Sequence, residues 1–224
     1  MPRVRDNAEN PDPGFAELYA SLPDAAKLEP WLGWAKEASP PVLYLGIGTG
    51  RLAVPLAREG IELVGVDSHP GMLERLRARL PDIELIEGRI EDLDLRRRFD
   101  LVIVPSNILC TTERLAAAAR LLGRDGRLAF QLMNPHWLAA GTSSKVRVLA
   151  FDRAEARIEV AYPNGTVQEA EVPLIWPEEV EDFVAEAGLE LLRLSGEPDA
   201  ELDESPTFYA LASKRLRRAQ MPST

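Results

Sequence analysis

The chain has 224 residues, 46% of them hydrophobic, which is enough for one sizeable α/β core and too little for a second large domain. Its single cysteine, Cys110, excludes an internal disulfide, and its two histidines, His69 and His136, stand far apart with no Cys/His cluster, which leaves no ligand set for a structural metal. The formal net charge of −10 is concentrated late in the chain, with 16 acidic and 7 basic residues from Ala150 to Thr224; no basic face for nucleic-acid phosphates is evident beyond the short run 214–218.

No apolar run approaches a membrane span, and the residues after Met1 lack the apolar core of a signal peptide, so the expected location is cytoplasmic and no membrane contact is expected. Residues 1–14 are polar, rich in Pro and Asn, and read as a flexible arm. Apolar residues at helical spacing then predict two helices within 15–40, one from Phe15 and one over Ala25 to Ala38 with Leu28, Trp31, Leu32 and Ala35 on one face. Residues 42–46 form a short apolar strand that runs into Gly46, Gly48 and Gly50, with a helical pattern over 50–59 directly behind. Glycines so placed let the backbone turn sharply and let a ligand approach without meeting a Cβ, while the next helix offers unpaired N–H groups.

A second apolar strand over 61–67 ends in Asp67, seventeen residues past Gly50. An acidic side chain at that strand tip is where a doubly wound sheet takes the ribose hydroxyls of an adenosine cofactor. The dinucleotide pattern G-x-G-x-x-G wants a third glycine where Arg51 stands, so an NAD-dependent oxidoreductase is the weaker alternative. A helix follows from Pro70 to Leu80 with Met72, Leu73 and Leu76 on its apolar face, then a strand over 83–88 and another over 99–107. Cys110, at the end of an apolar run, reads as a buried small hydrophobe.

Thr111 caps a helix over 112–122, Gly123 to Gly126 is a tight turn, and Arg127 to Met133 is the next strand. From Lys145 the period changes to two, and three antiparallel strands are expected near 146–150, 157–162 and 166–172, the last two joined at Asn164-Gly165. A helix from Trp176-Pro177 to Gly188, a strand over 189–195 and a strand over 207–212 complete the pattern, and 214–224 is a basic tail. Strands alternating with helices make a mostly parallel sheet with right-handed crossovers the expected architecture.

The segment from Pro41 to Ala53, with Gly46, Gly48 and Gly50, resembles motif I of class I S-adenosylmethionine (SAM)-dependent methyltransferases. Gly65 to Leu73 resembles that family's acidic second loop, Gly88 to Leu93 its adenine-binding stretch, and Phe99-Asp100 the start of its fourth strand. The resemblance covers about 42–213. It implies a Rossmann-like seven-stranded sheet whose last strand is antiparallel, within a single domain over 15–213, plus a small antiparallel β insertion over 145–175. It further implies lid helices over 15–40 and SAM as cofactor, held by Gly46, Gly48, Gly50, Asp67, Ser68, Met72, Arg89, Ile90 and Pro105.

The same resemblance implies transfer of a methyl group to an amine or hydroxyl of a small molecule, an amino sugar among the options. The insertion would cover the acceptor or make a contact between subunits of a homo-oligomer. Tyr19 resembles the aromatic residue such enzymes place near the transferable methyl, though with Trp31 and Trp34 it also fits plain helix packing. Asn107 is the polar candidate for orienting an acceptor or is there for its turn chemistry, and His136 is a candidate proton acceptor or a packing residue beside Trp137. Two departures stand out: the family's acidic residue two positions before the first glycine is Tyr44 here, and Arg89 replaces an acceptor side chain. They support the alternative of a non-catalytic SAM-binding module. Guanidinium has only donors, so Arg89 is expected to point to solvent or to pair with an acid such as Glu91 or Glu87.

Overall fold

The computed structural model describes residues 3–5, 12–141, 143, 145–198 and 200–214. In chain order the elements are β1 (Arg3–Arg5), α1 (Pro13–Ser21), α2 (Trp31–Lys36), β2 (Val42–Leu45), α3 (Ala53–Arg58), β3 (Leu63–Asp67), α4 (Pro70–Arg79), β4 (Glu84–Glu87) and β5 (Phe99–Val104). There follow α5 (Thr112–Arg120), β6 (Leu122–Met133), α6 (Pro135–Ala139), β7 (Val146–Phe151), β8 (Glu155–Ala161), β9 (Val167–Pro173), α7 (Val180–Glu186), β10 (Leu189–Ser195) and β11 (Thr207–Lys214).

Seven strands form one sheet in the order β10-β11-β6-β5-β2-β3-β4. The pairs from β6 through β4 are parallel, whereas β11 runs antiparallel to both β6 and β10. Strands covered on both faces read as unbroken apolar runs, as Val42-Leu43-Tyr44-Leu45 does, and all four of those residues are buried. One core cluster, around Phe99, Val102, Phe130 and Phe208, packs under α5 and α7, and the other, around Trp31, Tyr44, Leu101 and Leu76, packs under α2, α3 and α4. Local signals set the helix starts: Pro70 sits in the first turn of α4, and the Asp12 side chain accepts the Gly14 N–H at 2.9 Å to cap α1.

The antiparallel insertion is a second sheet of order β1-β9-β8-β7, in which β7 is an open edge with Leu149 and Phe151 exposed. Here the structure differs from the reading of 1–14 as a loose arm. Arg3 to Arg5 pair in parallel with Val167 to Glu169, Arg3 forms an ion pair with Glu169, and Val4 packs against Phe15 and Met72. Three residues carry too short an alternation to announce a strand, and the partner lies more than 160 positions away, which is why local pattern missed it.

Two smaller differences concern boundaries. The second expected helix shrinks to Trp31–Lys36, directly behind Pro30, whose fixed φ suits a helix start and not its interior. Gly123 to Gly126 is not a free turn but a bulge of β6, inserted between the pairs Phe99↔Leu122 and Leu101↔Arg127. Gly126 is required there, because a Cβ would meet the Phe99 carbonyl at 2.6 Å. Lys214 belongs to β11 and donates to the Leu122 carbonyl at 2.6 Å; the rest of the expected tail lies outside the described residues. No helix among the described residues is long and apolar enough to cross a membrane.

Candidate cofactor and acceptor site

At the carboxyl ends of β2, β3 and β5 lies a cavity of about 1040 Å³, where open α/β sheets receive their ligands. One wall is the glycine loop. Gly46 and Gly48 both have positive φ, +70° and +57°, which an L side chain rarely adopts, and both line the cavity. Gly50 also has positive φ but does not line it: a Cβ there would strike Leu76 Cδ1 at 2.3 Å, so its missing side chain admits α4 against the loop. Gly50 therefore departs from the expectation of a cofactor contact and serves the packing behind it.

Asp67 ends β3 as expected and faces the loop. Its Oδ2 accepts the Gly48 N–H at 2.8 Å and its Oδ1 accepts the His69 N–H at 2.9 Å, so one carboxylate fixes both loops at this end of the cavity. Each oxygen of an ionised carboxylate has two lone-pair sites, which leaves acceptor capacity for a ligand hydroxyl. Ser68, Met72, Arg89, Ile90 and Pro105 line the same cavity, and Met72 is buried under α1 with Phe15 and Leu18. Arg89 lies 3.6 Å from Glu91, the pairing expected from its donors, and Glu91 is held more closely by Arg114 at 2.8 Å. Burial works to raise the Glu91 carboxyl, but the Arg114 hydrogen bond and the two guanidinium charges bring it below its ordinary value.

Tyr44, standing where the resemblance expects an acid, is 4% exposed and lines the cavity floor. Burial, with the Asp67 charge second and Arg51 opposing, drives its phenol far above its ordinary value, so the position presents a neutral hydroxyl. Tyr209 is likewise raised by burial and by Glu197, against Thr207 and Lys27. Tyr19, Tyr44, Tyr162 and Tyr209, all the tyrosines of the chain, line this one cavity.

The opposite wall is the inner face of the insertion. Ile158 and Val160 of β8 and Ala170 and Val172 of β9 face the cavity, while Glu159 and Glu169 point to the other side and pair with Arg3 and Arg147. The period-two pattern of the insertion carried this division in the sequence; the positions of Tyr44, Tyr209 and Gln131 in the lining had no local signal, because strand order alone brings them there. Tyr19 reaches the site from α1, with its ring 4.7 Å from Phe15 and 6.5 Å from Tyr162 between centroids.

Asn107 lines the cavity and its Oδ1 accepts the Met133 N–H at 2.8 Å, which ties the ends of β5 and β6 together and leaves the amide NH₂ as the group to meet a ligand. The residue before it, Ser106, is the non-glycine residue with positive φ among the described residues, +119°, a strained backbone at the ligand end of a strand. His136 is not brought to the cavity. Asn134 caps α6 by accepting the His136 N–H at 3.0 Å, and the imidazole turns to Glu178, 3.0 Å from Nε2, and to the edge of Trp176; at 37% exposure it corrects the expectation that His136 stands beside the acceptor.

Residues 42–126 match a family described as a methyltransferase domain. A ubiquinone biosynthesis O-methyltransferase from Azorhizobium caulinodans is 29% identical over 181 residues, covering 77% of this chain and 65% of that protein. The chain spans just under two thirds of the length of the first curated relatives it matches. Among solved structures, the CcbJ methyltransferase from Streptomyces caelestis superposes with a TM-score of 0.67 at 23% identity, over 88% of this chain and 95% of that one. CalS10, an amino pentose methyltransferase from Micromonospora echinaspora, gives 0.62 at 20% identity over 92% and 93%. Residues 42–126 thus match the methyltransferase domain family, and the chain as a whole has the fold of class I SAM-dependent methyltransferases.

Proposed function

We propose that the protein binds SAM and transfers its methyl group to an amine or hydroxyl of a small molecule. The observation that carries this reading is the single cavity shared by the glycine loop with Asp67 on one side and the apolar face of the insertion on the other. At about 1040 Å³ it lies at the top of the range of roughly 300–1,000 Å³ for one small ligand, which suits a cofactor and an acceptor side by side.

The residues present fit the cofactor. Gly48 offers a cradle where an added Cβ would meet nothing but Met72 Sδ, at 3.4 Å, whereas a Cβ at Gly46 would strike Ile108; Asp67 offers the carboxylate, and the Thr49 hydroxyl in the same loop is buried without a partner, a polar demand that a ligand in the loop can meet. When bound, SAM supplies an activated methyl on a sulfonium. The protein's own part is alignment: Met72 and Ile90 pack the nucleoside end, Tyr19 and Asn107 approach from the acceptor side, and α1 and the insertion exclude water. The buried Tyr44 and Tyr209 phenols stay protonated at neutral pH and serve as neutral hydroxyls, not as bases.

The relatives support a small acceptor by what they are: one an O-methyltransferase of ubiquinone biosynthesis, one an amino pentose methyltransferase. The apolar sheet face adds that the acceptor carries an apolar body next to its nucleophile. Formation of S-adenosylhomocysteine (SAH) in a panel of amine and hydroxyl acceptors tests the proposal. Turnover with such a compound is expected, and SAH binding without turnover across a broad panel would instead favour a binding module.

A further inference from the structure

His69 occupies the N-cap position of α4 and makes no capping bond with its side chain, a role for which Asn, Asp or Ser would stabilise the helix. Its ring turns away from α4 to the lid. Nε2 lies 3.0 Å from the Asp12 carbonyl, and because a carbonyl can only accept, Nε2 carries the proton and donates. Nδ1 is buried and has no partner, so the ring forgoes both a cap and half of its own hydrogen-bonding capacity to keep this one bond. Asp12 is the cap of α1, and the same carbonyl accepts the Phe15 N–H at 2.9 Å. Helix α1 carries Phe15 and Tyr19 into the cavity, and its nine residues are too few to hold a helix without tertiary support.

On its other side His69 is bound to the nucleoside end, since its N–H donates to the Asp67 Oδ1 whose partner oxygen holds Gly48. A continuous set of contacts thus runs from Gly48 through Asp67 and His69 to Asp12 and α1. We propose that His69 is a positioning residue that latches the lid helix to the Asp67 loop, so that ligand occupancy at Asp67 and closure of α1, with Tyr19, favour each other. The coupling is reciprocal: the closed lid tightens ligand binding by the same factor by which the bound ligand shifts the lid towards closure. This inference rests on the reading of Asp67 as the ribose contact.

Two variants separate the latch from the fold. His69→Asn is too short to reach Asp12 but is a good N-cap, so it should keep or strengthen α4 while removing the latch. His69→Gln retains an N–H at the reach of Nε2. Hydrogen exchange in ligand-free protein should show the amides from Phe15 to Ser21 exchanging about fivefold faster in His69→Asn, the worth of one neutral hydrogen bond, with α5 unchanged and His69→Gln close to wild type. SAH affinity, measured by titration calorimetry, should fall by up to about the same factor in His69→Asn only. Unchanged α1 exchange in His69→Asn, equal loosening in both variants, or loosening that extends to α5 would overturn the latch. If wild type binds no SAH at all, the proposed function fails, while the exchange comparison still decides whether His69 holds the lid.

Discussion

Asp67 Oδ2 accepts the Gly48 N–H at 2.8 Å, so the acidic tip of one strand and the glycine turn after another are fixed to each other before any ligand is considered. Asp67→Ala removes this brace together with the proposed ribose contact. A hydrogen bond to a charged group contributes roughly 1.5–3 kcal/mol, so SAH affinity should fall by one to two decades. Titration calorimetry on the folded variant checks this, and an unchanged dissociation constant sinks the assignment.

The glycine loop, Asp67 and a mostly parallel sheet were legible because each is a local pattern tied to a chain-wide alternation, whereas the antiparallel last strand came only with the family resemblance. The insertion was legible for the same reason, its period of two. What local pattern could not supply is what distant strands bring together. Tyr209 enters the cavity because β11 inserts beside β6, and Arg3 to Arg5 become a strand only because β9 is there to receive them. His136 sat at the ligand end of a strand in the sequence, yet the cap formed by Asn134 and the attraction of Glu178 turn it outward.

The insertion also does more than line the proposed acceptor side. Its β9 carries β1, and Tyr162 meets Tyr19, so replacing the whole segment would disturb the lid as well. Single changes on its inner face are the sharper probe. Val160→Trp narrows the cavity on the insertion's side, the side proposed for the acceptor, and Val160 belongs to β8 and not to the glycine loop. It should lower kcat/KM for any accepted substrate by at least about tenfold while SAH affinity stays within a few-fold; an equal loss of both in calorimetry and kinetics would place Val160 against the cofactor.

Ser106 holds a strained backbone, φ +119°, directly before Asn107. Glycine adopts that conformation freely, so Ser106→Gly should relieve on the order of 1 kcal/mol of strain, partly offset by the entropy of the freer unfolded chain. The expected outcome is an equal or higher Tm with reduced turnover, because Asn107 is less firmly aimed. A large loss of Tm would mean that the serine side chain, and not strain, governs the turn.

Glu91 is 14% exposed and paired with Arg114, and its carboxyl lies below the ordinary 4.5. A depressed folded value contributes stability that is fully present above the unfolded value and is lost as pH falls through the folded one. The difference in Tm between wild type and Glu91→Gln should therefore be constant near neutrality and shrink once pH drops below about 4.5. A difference that persists unchanged in acid would show that the Arg114 pair contributes nothing through charge.

Direct titration of the purified protein with SAH, alongside NAD, goes to the centre of the account. Saturable one-to-one binding of SAH with no heat from NAD is expected from a glycine loop that has Arg51 in place of a third dinucleotide glycine and Asp67 at the strand tip. Binding of NAD, or no binding of SAH to folded protein, would contradict it.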